Sequence, residues 1–444
     1  MEDKDTHFYK KEIKIEFKMK EFFNFNYLRN FFNSPTKKRL AENFLSLSFL
    51  QGVNYLLPLI TFPYLVRVLG PEKFGLISFA QSFIQYFNIL TDYGFNLSAT
   101  REISIYRDNK EKVSEIFSSV IMIKLGLMII SLLILSVLVF TIPKFKNDWL
   151  IYFFTFGMVL GNILFPVWFF QGMERMKYIT ILNITARLIF TVCIFIFIRK
   201  MADYLYVPLI NSMGFLVAGV VSIWIIFKDF RISICIPKWS SLLTYFENST
   251  QFFLSRASVS IYTSTNAFVL GLFTNNKMVG YYSIAEKLYI ALQQIYHPLV
   301  NTLYPYIAHK RNVHLYKKIF KFVVFLNITI LFLAFISSNH IIEIIFGKGL
   351  EISSNIFKIL ILSAMVVVPS ILLGYPFLAA MGYPNYANFS VILGSIFHLS
   401  GLGILAIFHL VSVYNVALMV LITEGIVLSI RLYGVIKNRL WRIS

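Results

Sequence analysis

Apolar residues in this chain come in long, nearly unbroken runs, separated by short polar breaks. The runs lie near residues 43–66, 75–97, 117–141, 149–170, 179–198 and 204–227. After a polar interruption, KDFRISICIPKWSSLLTYFEN, a second set lies near 249–273, 280–306, 319–338, 356–378, 387–408 and 411–432. A helix that crosses a bilayer needs about 20 mostly apolar residues, within a range of about 17–25. The pattern predicts an all-α polytopic membrane protein of about twelve transmembrane helices, six on each side of the interruption. The expected division is a basic tail at 1–42, an N-terminal six-helix lobe at 43–230, a linker at 231–248, and a C-terminal lobe with a short tail at 249–444.

Composition excludes a soluble enzyme. Of 444 residues, 57% are hydrophobic and 14% charged, against about 25% charged in soluble domains. Lys and Arg number 41 against 22 Asp and Glu, a net charge of +19. By itself that excess would suggest an anionic partner such as nucleic acid. Its distribution says otherwise: 28 cations fall on the side that holds both termini, 9 on the other, and 4 within spans. Basic loops stay in the cytoplasm, so both termini are expected inside, and no nucleic acid is needed to explain the charge. The N-terminus, MEDKDTHFYKKEIK, has no apolar signal-peptide core and reads as a retained cytoplasmic tail. Cys193 and Cys235 form neither a disulfide framework nor a metal site. No G-x-x-x-x-G-K-[ST], H-E-x-x-H or G-x-S-x-G occurs, and the loops are too short for an external catalytic domain. Whatever the protein does, it does inside the membrane.

The two halves resemble each other. A shift of 205 residues lays 75–96 over 280–301, matching Gly75 with Gly280, Ser78 with Ser283, Ala80 with Ala285 and Asn96 with Asn301. In the same register Gln81 faces Glu286 and Asp92 faces His297. A shift of 210 matches Pro166 with Pro376 and Gly172 with Gly382. Duplicated halves with a substrate site between them are a habit of secondary transporters. Six spans per half, an even number, implies parallel lobes related by an axis along the membrane normal.

Polar side chains are costly in hydrocarbon and usually face a cavity or the protein interior. The second span carries Ser78, Gln81, Gln85, Asn88, Asp92 and Asn96, spaced three or four apart and so on one helical face. The eighth span repeats this with Ser283, Glu286, Gln293, His297 and Asn301. Gln51 and Asn54 on the first span and Arg256 on the seventh add to the stripes. Interhelical hydrogen bonding explains any one of these groups, but six on one face point to a hydrated central cavity. Arg187, Arg256 and Lys287 lie deep enough to bind a diphosphate, Arg in bidentate fashion and Lys as a point charge. Ion pairing with Asp92, Glu286 or Glu424 is the alternative for each. Lys124 enters from the basic side and is expected to snorkel to the headgroups. Asp92, Glu286, His297 and Glu424 are the coupling-ion or gating candidates, with a proton or sodium as the ion. No other cofactor and no metal is expected. Pro58, Pro166, Pro298, Pro305, Pro369 and Pro376 should bend or break helices.

The run NYLLPLITFPYLVRVLGPEKFGLISFAQSF, followed by TDYGFNLSATREIS, resembles the first two helices and loop of Wzx-type polysaccharide flippases. FPVWFFQGMERMKYITILN resembles that family's signature between its fourth and fifth spans. FFLSRASVSIYTSTNAFVLGLFTNNKMVGYYSIAEKL is similar to its seventh and eighth spans. The resemblance covers about residues 43–434. The family belongs to a superfamily with the MATE drug exporters and the MurJ-type lipid II flippases. The resemblance implies a MATE-like fold in the bacterial inner membrane and a transporter rather than an enzyme. Its substrate would be an undecaprenyl-diphosphate-linked oligosaccharide, flipped for O-antigen, capsule or other surface polysaccharide. A drug or cation antiporter and a lipid II flippase are the alternatives. Polysaccharide polymerase and chain-length proteins are the implied partners besides membrane lipid. The positions matching the family's loop and cavity pattern are Asp92, Gly94, Arg101, Glu102, Glu174, Arg256 and Lys287.

Overall fold

The computed structural model describes residues 35–442; the side chains of 35–45, 47, 48, 254–263 and 442 are not among those described. The basic tail and the Arg256 side chain therefore lie outside the described part. Within it the chain is helical and contains no β-strand. The first element, α1 (Pro35–Asp92), runs through Gly70, whose φ of 70° breaks the helix. A straight helix would hold Phe62 and Phe74 about 18 Å apart at 1.5 Å per residue. Their rings are 6.2 Å apart, so α1 is two helices folded back at Gly70. There follow α2 (Phe95–Tyr106), α3 (Lys110–Thr141), the short α4 (Pro143–Lys146), α5 (Trp149–Leu164), α6 (Val167–Gly172), α7 (Met176–Phe197) and α8 (Tyr206–Asp229). The second half comprises α9 (Trp239–Phe273), α10 (Asn276–Gln294), α11 (His297–Lys310), α12 (Val313–Ile336), α13 (Ser338–Phe346), α14 (Glu351–Leu373), α15 (Pro384–Ile407) and α16 (Val413–Lys437).

Among the described residues, nine helices are long and apolar enough to cross a membrane. The difference from twelve lies in two places. The folded pair within α1 counts as a single helix; α10 carries too many polar groups to qualify, and of α9 only the short apolar stretch Ser264–Phe273 counts among the described residues. Many of the polar residues lie on helices that meet inside the protein. Apolar ones such as Leu133, Val137, Val192, Val220, Phe325 and Ile396 stand exposed on the outer helices, as lipid-facing residues must.

Helix boundaries repeat between the halves. The helix after Gly70 starts at Pro71 and α10 starts at Asn276, 205 residues on. The first then breaks at Tyr93-Gly94 and the second at Ile295-Tyr296. Pro166 separates α5 from α6, and Pro376 sits in a π-helical turn, Gly374–Ala379, at the end of α14. A proline removes one ladder bond and crowds the preceding turn, which accounts for both distortions.

The segment read as a linker is helical from Trp239 onward. Before that, its backbone lies along α3, where the N–H groups of Ser233 and Cys235 donate to Ser114 and Ser118 at 3.2 and 3.0 Å. The start of α9 packs on the first half. Tyr93 stacks on Phe246 and Phe253 at 4.3 and 4.6 Å, and the Ser98 and Ser249 hydroxyls share a 2.7 Å hydrogen bond. Its far end passes between the halves.

Call the end that carries Lys110, Lys112, Arg175, Lys177 and Lys310 the basic end. At the opposite end the halves are in backbone contact. A Cβ on Gly75 would stand 1.8 Å from the Asn276 carbonyl and 2.5 Å from the Gly280 nitrogen; one on Gly280 would stand 1.8 Å from the Pro71 carbonyl. The aromatic rings of Phe79, Phe83, Phe145, Tyr152 and Phe268 stack beneath this contact, with Phe83 5.0 Å from Phe145 and 5.5 Å from Phe268. Lys144 Nζ donates to the carbonyls of Leu272 and Thr274 at 3.0 and 2.8 Å, and Arg67 donates to the Ile344 carbonyl. In the loop between α7 and α8, the backbone N–H groups of Arg199 and Lys200 donate to Asp203, holding its carboxyl below the usual range. One apolar core joins both halves here. Toward the basic end it divides. One cluster is built on α2, α3, α6 and α7, the other on α11, α12 and the ends of α14 and α16.

Valine at Gly75 or Gly280 forces apart two backbones that leave no room for a side chain. Each substitution should cost about 1–3 kcal/mol or more. Thermal unfolding of purified protein should fall accordingly, while Gly126→Ala, with open space around it, should leave it unchanged.

Candidate functional site

Three cavities adjoin one another along α1, and they gather many of the polar groups read from the sequence. The first lies between α1 and α10 and measures about 170 Å³; Asn54, Pro58, Phe62, Lys287 and Gln294 line it. Lys287 Nζ sits 4.9 Å from the centre of the Phe62 ring, a cation held against a π face. Its sequence neighbour Glu286 is half-buried beside it. Asn54 Oδ1 is buried with no hydrogen-bond partner.

The second cavity, of about 300 Å³, shares Pro58 and Phe62 with the first. It is walled by Thr61, Gln81, Gln85, Asn183, Arg187 and Asn211. Arg187 Nε is buried and unpartnered, and among the described residues no carboxylate pairs with this guanidinium. A buried donor left open costs roughly 1–3 kcal/mol, more when charged. That is the signature of a group waiting for an acceptor.

The third cavity, about 270 Å³, shares Gln85 with the second and lies toward the basic end. Asn88, Asp92, Asn96, Lys124 and Asn162 line it. Asn162 Nδ2 donates to Asn88 Oδ1 at 3.0 Å, and Asn88 Nδ2 to Gln85 Oε1 at 3.5 Å. Lys124 corrects a sequence expectation. It does not snorkel; it is 4% exposed, and its Nζ lies 3.4 Å from Asp92 Oδ1. A carboxylate within reach holds the ammonium where the headgroups would otherwise draw it out. Five of the six stripe residues of the second span are thus divided, Gln81 serving one cavity, Asn88, Asp92 and Asn96 the other, and Gln85 both, while Ser78 is buried away from them.

Other residues singled out from the sequence are placed elsewhere. Gln51, His297 and Asn301 are exposed, and His297 begins α11 after the break in its span. Glu424 is half-buried on α16, within electrostatic reach of Tyr289 and Arg431. Gly94 takes the left-handed conformation at the start of α2, with φ of 77°. A Cβ there would strike the Phe253 nitrogen at 2.7 Å, so the glycine allows α9 to approach. Arg101 and Glu102 border a surface cavity with Tyr245 and Glu247. Glu174, at φ of 55°, pairs with Arg107 at 3.0 Å, which ties the loop after α6 to the end of α2.

Two polar clusters in the second half escaped the sequence reading. His398 is fully buried, its Nδ1 2.9 Å from Thr423 Oγ1 and its Nε2 2.8 Å from Asn266 Oδ1. That links α9, α15 and α16. Arg431 is buried; it donates from Nε to Ser390 Oγ and from Nη1 to the Ser370 carbonyl and hydroxyl. It lies at the last turns of an apolar run, where a cation normally reaches the surface.

Comparison with known proteins now bears on this arrangement. Residues 40–311 match the family described as polysaccharide biosynthesis protein. The chain belongs to that family. A protein of Escherichia coli (strain K12), named as a candidate O-antigen transporter, is 30% identical over 413 residues, covering 92% of this chain and 99% of the relative. A Shigella dysenteriae protein of the same name is 26% identical, covering 81% and 91%. Two solved structures are similar in fold. One is the lipid II flippase MurJ in an inward closed conformation, with TM-score 0.63, 15% identity, and coverage of 90% of this chain and 87% of that one. The other is an inward-facing MATE-family multidrug resistance transporter of the MOP superfamily, with TM-score 0.62, 13% identity, and coverage of 90% and 99%. The fold is therefore the MATE-like fold expected from the sequence, in an integral membrane protein of a transporter family and not an enzyme.

The Asp92–Lys124 pair is testable by a double-mutant cycle. Lys124→Met alone strands a partly buried carboxylate and should destabilise the protein by about 2 kcal/mol, discounted for the exposure of Asp92. Adding Asp92→Asn should recover most of that loss in thermal unfolding.

Proposed function

We propose that this protein translocates an undecaprenyl-diphosphate-linked oligosaccharide across the bacterial cytoplasmic membrane, for assembly of O-antigen, capsule or another surface polysaccharide. The observation that carries the reading is Arg187: an intramembrane guanidinium with an open Nε donor, in a cavity whose other polar side chains are neutral amides and hydroxyls. A guanidinium matches a phosphate in geometry and charge. Lys287, across Phe62 in the adjoining cavity, is a second cation on the seam between the halves. The names of the two relatives support a polysaccharide substrate.

In this reading the basic end, toward which the apolar core divides, faces the cytoplasm. The diphosphate enters between the halves, meets Lys287 and then Arg187, while the polyprenyl tail stays in lipid against the exposed Leu56, Leu59 and Ile60. The opposite end, sealed by Gly75, Gly280 and the aromatic stack, then opens as the basic end closes. A ligand can drive that exchange only if it binds the two states unequally. Ion coupling by a proton or sodium fits the same scheme, with Glu286 and Glu424 as candidate carriers. A cation exporter would want an unpaired acid in the cavity of the first half, and there Asp92 is held by Lys124.

In a strain lacking its own flippase but supplying the lipid-linked precursor, Arg187→Ala should cut surface polysaccharide by about tenfold or more, the loss of one charged hydrogen-bond donor. Arg187→Lys should retain part of it, and Lys287→Ala should lower it too. Normal polysaccharide from an Arg187→Ala, Lys287→Ala double variant present in the membrane at wild-type level would remove the diphosphate site.

A further inference from the structure

We propose that the cavity around Asn88 and Asn162 is a saccharide subsite, distinct from the diphosphate subsite at Arg187, and that it selects the sugar next to the diphosphate. The proposal rests on the translocation reading above and deepens it. Charge separates the two cavities. Around Arg187 a guanidinium stands without a carboxylate partner among the described residues. Around Asn88 the one cation, Lys124, is cancelled by Asp92 at 3.4 Å. A phosphate entering there would meet a neutralised ammonium and an adjacent carboxylate, so the cavity around Arg187 attracts an anion and the one around Asn88 does not.

The other polar side chains of the cavity around Asn88 are Thr91 and four amides, Gln85, Asn88, Asn96 and Asn162. An amide offers two N–H donors and an acceptor oxygen. Sugar hydroxyls need that mixture, because each both donates and accepts, whereas phosphate oxygens only accept. The bonds from Asn162 to Asn88 and from Asn88 to Gln85 use one hydrogen of each donating amide, so the second hydrogens remain for a ligand. They also fix the amide orientations, which converts a polar surface into a template. Phe165 and Phe253 complete the wall and give the apolar face of a pyranose something to lie against.

Size and adjacency agree. The cavity's 270 Å³ is just below the roughly 300–1,000 Å³ of ordinary ligand pockets, room for one sugar and not for an oligosaccharide. Gln85 belongs to both cavities. A ligand with its diphosphate at Arg187 therefore presents its first sugar to Asn88 and Asn162, and the rest of the glycan extends toward the basic end.

The test uses the full chain in nanodiscs and two probes, undecaprenyl diphosphate and undecaprenyl-diphosphate-linked N-acetylhexosamine. Arg187→Ala should weaken both. Asn162→Ala and Asn88→Ala should weaken the sugar-bearing probe about tenfold, the worth of one or two hydrogen bonds, and leave the bare diphosphate unchanged. Asp92→Asn provides a second reading that does not depend on the amides. It leaves Lys124 uncompensated, so the bare diphosphate should bind more tightly. Amide variants that weaken both probes alike, or neither, overturn the subsite, as does an Asp92→Asn protein with unchanged affinity for the bare probe. If the wild-type protein binds neither probe, the translocation reading falls as well.

Discussion

Two backbones touch at Gly75 and Gly280, and the rest of the molecule is arranged around that contact. In lipid no hydrophobic force presses one helix on another, so association depends on close packing through small residues and on interhelical hydrogen bonds. Here the approach is so close that a single added carbon would stand 1.8 Å from a carbonyl oxygen on either side. The contact holds the halves together at one end, with aromatic rings and the Lys144 and Arg67 bonds beside it. Because it lies at one end, it leaves the halves free to separate at the other. The division of the apolar core into two clusters toward the basic end follows from this placement.

Where the halves part, polar groups can be afforded. Each of the three cavities borders the next through a shared side chain, and each handles charge differently. Lys287 is a cation laid on an aromatic face beside Glu286. Arg187 is a cation with an open donor. Lys124 is a cation cancelled by Asp92. The gradient from charged to neutral along one row of cavities is what an amphipathic ligand with a diphosphate next to a sugar would require.

Much of this was legible in the sequence. Apolar runs gave the helices and the 205-residue shift matched Gly75 with Gly280, because a repeated helix must repeat its spacing. The polar stripe of the second span appeared through its three-and-four spacing, and five of its six members line cavities. What sequence could not show was partnership. Asp92 and Lys124 are 32 residues apart, and only the packing of α3 against α1 brings them together. His398, Thr423 and Asn266 come from three helices, each contributing one polar group that looks incidental alone. Arg431 sits where an apolar run is about to end, and the serines that hold it are spread over two other helices. Gln51 and Asn301 show the converse. Their spacing matched a stripe, yet both side chains are exposed.

The central claim is that the end sealed by Gly75 and Gly280 must open for the protein to work. Spin labels on Glu72→Cys and Lys277→Cys would report that end, and labels on Asp108→Cys and Arg311→Cys the basic end, with Cys193 and Cys235 replaced. Electron–electron distance measurements in nanodiscs should show the first pair close and the second far apart without substrate. With lipid-linked oligosaccharide supplied, a population should appear in which the first distance lengthens as the second shortens. A first distance that stays fixed while the same preparation translocates substrate would contradict the account.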